Sequence, residues 1–291
     1  MFSALFLCAI GAVVIISITA LFVFGKRDST FDFGDNVGII EIKGIITDPK
    51  PVLTHLRRLR RNEHTKAIVL RIDSPGGGDG PAKEIYKEVK RTTRSKKVVA
   101  SMGAIAASGG YYVAAAADHI MANPGTITGS IGVIMEFANL ENLLGKLGVS
   151  AYVLKSGEYK DVGSPLRGMT AEEKQLLQGF IDNVHEQFVL AIAEGRKLPE
   201  DKVRDIADGR ILSGEQAKKM GLLDSLGNFE DAIKLAGKLG GMKGEPSVVY
   251  AEKKKFSLLE YLLGSRVITE ALDWVTVGAR HYGYLWLPGK N

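Results

Sequence analysis

The chain has 291 residues, 45% of them hydrophobic and 24% charged, which supplies ample material for a buried core and argues against wholesale disorder. Its 38 basic and 33 acidic side chains leave a net charge of +5, compatible with an anionic membrane surface but too weak to mark a nucleic-acid binder. Cys8 is the single cysteine, so an intrachain disulfide, a CxxC redox pair and a multi-cysteine zinc site are all excluded.

Residues 2–24 carry no charged side chain, and about 23 residues at ~1.5 Å each are long enough to cross a ~30 Å hydrocarbon core. Lys26 and Arg27 end the run. A cleaved signal peptide needs a basic start, a shorter apolar stretch and a small-residue exit, and Leu7 before Cys8 is wrong for a lipoprotein site. The expectation is an uncleaved transmembrane anchor over 1–27 that binds membrane lipid, then a polar tether over 28–36. On the positive-inside rule, Lys26, Arg27 and the cluster Arg57, Arg58, Arg60 and Arg61 would place the remainder in the cytoplasm.

The β-branched run 37–46 reads as a strand. A short amphipathic helix follows, with Leu53, Leu56 and Leu59 on one side and the four arginines on a solvated face. Next come a buried strand at 67–72, a glycine loop, a helix over 81–94 with Ile85 and Val89 inward, a strand at 98–102 and an alanine-rich helix over 105–117. Strands near 119–121 and 130–135, a helix at 140–147 and a strand at 151–154 continue an alternation that predicts an α/β fold. The longest helix spans 170–196, opened by a Thr170–Glu173 capping box, and its stripe of Leu177, Phe180, Ile181, Val184, Phe188 and Ile192 reads as core. Helices near 214–220 and 229–239 precede the turn-rich hinge 240–246, which places the end of the domain at about 245. The aromatic tail, 246–291, is too interrupted by charge to span a membrane. It could cover a partner interface, lie on a lipid surface or occupy a substrate groove as an extended segment.

The loop Asp73-Ser-Pro-Gly-Gly-Gly78 joins a strand to a helix but matches neither GxxxxGK[ST] nor GxGxxG. Bare backbone amides are also what an oxyanion of acyl transfer requires. In Gly103-Ala-Ile-Ala-Ala-Ser108-Gly-Gly-Tyr-Tyr112 a serine sits among small residues after a strand, where it could serve as a nucleophile or as a close-packing residue. None of His55, His64, His119, His185 and His281 lies in a loop or glycine context suited to a base. The alternative is a lysine made neutral by its surroundings, and Lys160 is the candidate because it lies in the loop Ser156-Gly-Glu-Tyr-Lys-Asp-Val-Gly-Ser-Pro165 rather than on an amphipathic helix.

Taken together and in order, Asp73-Ser-Pro-Gly-Gly-Gly78, Met102-Gly-Ala-Ile-Ala-Ala-Ser-Gly-Gly-Tyr-Tyr112, Thr128-Gly-Ser-Ile-Gly-Val-Ile134 and Lys155-Ser-Gly-Glu-Tyr-Lys-Asp161 resemble the motifs of the signal peptide peptidase A family, in its short bacterial form. The resemblance runs from about Val37 to Lys238. It implies a membrane-bound serine endopeptidase with a crotonase-like, Clp-protease-like spiral of ββα units over 37–245. Ser108 would be the nucleophile, Lys160 the general base, Ser130 the residue that orients the lysine, and the amides of Gly77 and Gly109 the oxyanion hole. It also implies a homo-oligomeric ring whose active sites are shared between protomers, remnant signal peptides as substrates, an extracytoplasmic catalytic domain against the arginine count, and no metal or cofactor. Asp79-Gly-Pro81 departs from the family pattern beside the oxyanion loop. Two other functions share parts of the pattern: a crotonase-fold acyl-CoA enzyme, and a membrane ring that binds apolar peptides without cutting them.

Overall fold

A computed structural model describes residues 34–251 and the backbone of residues 283–285. The anchor expected over 1–27, Cys8 and most of the tail lie outside the described residues. Among the described residues no helix is long and apolar enough to cross a membrane.

The sheet is built on three long strands, β1 (Asn36–Lys43), β2 (Thr65–Ser74) and β4 (Lys97–Ala107), paired in parallel in the order β1-β2-β4. Their near-continuous apolar runs are what a strand covered on both faces requires. The free side of β4 is divided between two neighbours: residues 99–102 pair with β5 (His119–Ala122) and residues 105–107 with β6 (Ile127–Gly129). Beyond β6 lies β7 (Ile211–Ser213), which runs antiparallel to it, and β8 (Ser225–Leu226) extends β5. After the turn at 240–246 the chain rejoins the sheet as β9 (Ser247–Tyr250), parallel to β1.

Successive strand residues point to opposite faces, which divides the core in two. On one face Ile40, Ile42, Ile68, Leu70 and Ile72 pack under α1 (Lys50–Arg61), α2 (Asp79–Thr93), α3 (Gly109–Ala114) and the long α5 (Ala171–Arg196). On the other, Val37, Ile39, Val69 and Val99 pack under α8 (Phe229–Leu239). The α/β class predicted from the alternation is the class observed. Leu53, Leu56 and Leu59 of α1 are buried as expected, and Leu59 lies so close to β1 that a Cβ on Gly38 would fall 2.5 Å from it.

Five expectations need correcting. The arginine face of α1 is not simply solvated: Arg60 pairs at 2.6 Å with Glu88 of α2, a buried carboxylate that Arg91 also approaches at 2.5 Å. Such a charge must be paired where it sits. The segment expected to be helical from residue 105 stays extended to Ala107, because the β6 pairing holds it, and the helix that follows has only six residues. No strand forms over 130–135: β6 ends at Gly129. Residues 151–154 form no strand, since no edge is offered to them, and Tyr152 and Leu154 are 92% and 101% exposed. The stripe of α5 is core only in its C-terminal half: Val184, Phe188 and Ile192 are buried, whereas Phe180 is 41% exposed.

Candidate active site

Ser108 occupies the single residue between β4 and α3, with φ 52° and ψ −120°. Among the described residues only Ser130 and Lys197 share a positive φ without being glycine, and Lys197 is the left-handed cap of α5. Such a backbone costs of order 1–3 kcal/mol and persists only where its surroundings enforce it, a pattern that clusters at functional sites. A serine on a sharp strand-to-helix turn is the geometry that presents a nucleophile at the end of a sheet. Here the turn is held from both sides: the Ser108 amide donates to the Gly129 carbonyl at 2.9 Å, and its own carbonyl accepts from Tyr112 at 2.8 Å. The alanines at 106 and 107 let the strand run buried to the turn, and Ser108 itself is 1% exposed.

Ser130 follows Gly129, which is in register with Ala107, so the two serines leave adjacent parallel strands side by side. The Ser130 amide donates to Arg210 O at 2.8 Å, and the Thr128 hydroxyl donates to Ala106 O at 2.7 Å, tying the pair below the turn.

The glycine loop forms a three-residue strand, β3 (Gly76–Gly78). Ile46 donates to Gly76 O at 2.8 Å and accepts from Gly78 N at 2.9 Å. Because backbone groups alternate along a strand, the N–H and C=O of Gly77 face the opposite side. The chain just before this loop lies close to the nucleophile turn: a Cβ on Gly110 would fall 2.8 Å from Ser74 O, and one on Gly103 2.9 Å from Asp73 Cγ. Asp73 Oδ1 also accepts the Ile105 amide at 3.1 Å. The Gly109 amide belongs to the first turn of α3, where helical amides have no acceptor within the helix. Ser108 and Ser130 are thus brought together by β4 and β6, and α3, which opens at Gly109, packs against β3, which holds Gly77.

Lys160 is not joined to them. It lies exposed on the turn at 156–163, and among the described residues its amine makes no hydrogen bond to Ser108 or Ser130. Around it stands a charged chain that reading the sequence missed: Lys155, Asp161, Arg167 and Glu173, each six residues from the next. The Arg167 bond, with support from the Thr170 amide, brings the Glu173 carboxyl down to about 2. Hydrogen bonds from Arg167 and then Lys155 hold Asp161 well below the usual carboxylate range. The even spacing and alternating sign were the available signal. His119 is engaged elsewhere, with Nε2 2.8 Å from the Ser225 hydroxyl between β5 and β8, and burial lowers its pKa.

Two further features adjoin the site. The backbone of β10 (Gly283–Leu285) pairs antiparallel with β3, placing Gly283 opposite Gly78, Tyr284 opposite Gly77 and Leu285 opposite Gly76. In the segment that carries the lysine turn, Phe137, Leu143, Leu147, Tyr152, Leu154 and Tyr159 are exposed apolar side chains.

Residues 90–243 match the model of peptidase family S49, and residues 36–126 match that of the Clp protease. A protein of Synechocystis sp., provisionally named a protease, is 43% identical over 85% of this chain and 94% of its own length. Protease 4 of Salmonella typhi is 34% identical over 73% of this chain and 36% of its own, and the chloroplastic serine protease SPPA of Arabidopsis thaliana 33% over 73% and 32%. The chain thus spans about a third of the length of these last two relatives.

Proposed function

Because the chain belongs to peptidase family S49, the family of the signal peptide peptidase SppA, and is a protease of Clp-like α/β fold, we propose that it is a serine endopeptidase working through a Ser108–Lys160 dyad. The observation that carries this reading is the positive-φ Ser108 set between the Gly77 loop and the first turn of α3. Ser108 Oγ attacks the peptide carbonyl carbon as its proton passes to the neutral Lys160 amine. The oxyanion that forms takes hydrogen bonds from the Gly77 and Gly109 amides, and Ser130 orients the lysine. When the C–N bond breaks, the lysine returns the proton to the departing amine. It then takes a proton from the water that attacks the acyl-serine and passes it to Ser108 Oγ as the ester C–O bond breaks, which releases the acid product and restores the dyad.

The substrate is an extended apolar peptide such as a remnant signal peptide. Support comes from β3, whose outer edge accepts an antiparallel strand within this chain. A second copy of the chain supplies the lysine. The exposed apolar surface around the Lys160 turn and the absence of a bond from that lysine to Ser108 support the sharing of sites in a ring. The charge-free run at 2–24 supports a single membrane anchor; the family resemblance, against the arginine count, supports a catalytic part outside the cytoplasm.

Cleavage of a fluorogenic peptide with an apolar residue before the scissile bond tests the reading, together with covalent labelling by a fluorophosphonate. Label found on Ser108, and loss of both signals in Ser108→Ala, is the expected result. Turnover that survives Ser108→Ala would remove the proposed nucleophile.

A further inference from the structure

Arg167 closes the charged chain that brackets the lysine turn. Its guanidinium donates to both oxygens of Asp161, from Nε at 2.8 Å and Nη2 at 2.9 Å. It also donates to both oxygens of Glu173, from Nη1 at 2.8 Å and from Nη2, and to the Gly168 carbonyl at 3.0 Å. On its other side Asp161 receives the Lys155 amine at 2.6 Å, and that amine also reaches the Glu158 carbonyl at 2.7 Å. The residue next to Lys160 is therefore gripped from both directions. The turn is pinned a second way, since Phe137 lies against Gly163, where an added Cβ would come within 2.3 Å of its ring.

Glu173 anchors this grip to the body of the protein. It is buried, and it completes the capping box of α5, accepting the Thr170 amide at 2.9 Å while its own amide donates to the Thr170 hydroxyl at 3.2 Å. The far end of α5 is built into the core beside the nucleophile's helix. Phe188 stacks 4.9 Å from the Tyr112 ring, and Gly195 is so close to α3 that a Cβ there would fall 2.1 Å from Ala115 O. Tyr112 donates to the Ser108 carbonyl. A continuous packed path thus leads from Ser108 through α3, α5 and Glu173 to Arg167, Asp161 and Lys160.

We infer that Arg167 is a positioning residue for the general base: it fixes the place from which Lys160 projects, without touching substrate. The inference rests on Lys160 being that base. A lysine on an exposed turn brings a flexible four-carbon stem, so its backbone must be held if its amine is to arrive in register. Two carboxylates in different directions call for a planar fork of donors, which arginine has and lysine lacks.

The test compares full-length Arg167→Gln, Arg167→Lys, Asp161→Asn and Lys160→Ala by peptide turnover, each normalised to the Ser108 titrated by fluorophosphonate. Arg167→Gln is expected to lower kcat about 10- to 100-fold with KM within about twofold, the signature of a misplaced catalytic group. Arg167→Lys should recover part of the loss. Arg167→Gln with Asp161→Asn should be no slower than the slower single variant, because the two act as one unit. A purely structural role would lower the amount of titratable enzyme and leave kcat per titrated serine unchanged. That result, with Lys160→Ala inactive, overturns the inference and leaves the proposed activity standing. Turnover retained by Lys160→Ala overturns the base assignment and the role of Arg167 with it.

Discussion

Gly77 lies so close to Ile46 that a Cβ on it would sit 2.2 Å from the Ile46 carbonyl oxygen and 2.6 Å from its nitrogen. Both are backbone atoms, already committed to Gly78 and Gly76, so no side chain can swing away to make room. Gly77→Ala must displace β3, and with it the amide assigned to the oxyanion hole. The expected loss is about 10²- to 10³-fold in kcat, with about 1–3 kcal/mol of stability from overpacking. Peptide turnover and a denaturant titration check both. Near-native kcat would show that the Gly77 amide is not used.

The tail strand opposite Gly77 leads to a second prediction. A peptide that binds the outer edge of β3 must displace residues 283–285 of the same chain. Full-length enzyme carrying Tyr284→Pro, which removes the backbone donor that stands opposite Gly77, should show a lower apparent KM for external peptides. If the tail holds the edge nine-tenths of the time, the fall is about tenfold with kcat unchanged. An unaltered KM would mean that the pairing does not compete with substrate.

Sharing of sites between copies predicts complementation. Ser108→Ala and Lys160→Ala are each expected to be inactive, since either change removes nucleophile activation. Mixed and allowed to exchange subunits, they should regain part of the wild-type rate. Failure to regain it, with mixed oligomers verified by crosslinking, would place both residues in the site of one chain.

The clamp carboxylates carry a pH signature. Their folded values are depressed, so their contribution to holding the turn is complete above the ordinary carboxylate range near ~4 and is lost as pH falls through about 2 for Glu173. Carboxyl NMR titration of the native chain should find the Glu173 midpoint at about 2. In Arg167→Gln it should return toward ~4.3, the value of a free glutamate. An ordinary midpoint in the native chain would argue that the ion pair does not persist in solution.

The parts of the fold legible in the sequence were those written in local pattern. The apolar runs of β1 and β2, the leucine side of α1 and the Thr170–Glu173 box all appear where periodicity and capping chemistry place them. Ser108 and the glycine loop at 76–78 stand out in the sequence because small residues beside a serine or a strand end form a local signal, whereas Ser130 is singled out only through the family resemblance. What failed was set by distant partners. Ala106 and Ala107 favour helix until β6 pairs with them, and Phe180 sits in a perfect helical stripe yet is 41% exposed. Nothing near residue 283 announces a partner at residue 78, and a three-residue strand is too short to show a period.

The exposed Lys160 turn has a consequence for control. When nucleophile and base must come from different copies, the rate climbs more steeply than the amount of protein, because each added chain creates contacts as well as serines. A sparse population of newly made chains is then inert without any inhibitory propeptide. In the proposed arrangement hydrolytic power would switch on with crowding in the plane of the membrane, and dilution alone would switch it off.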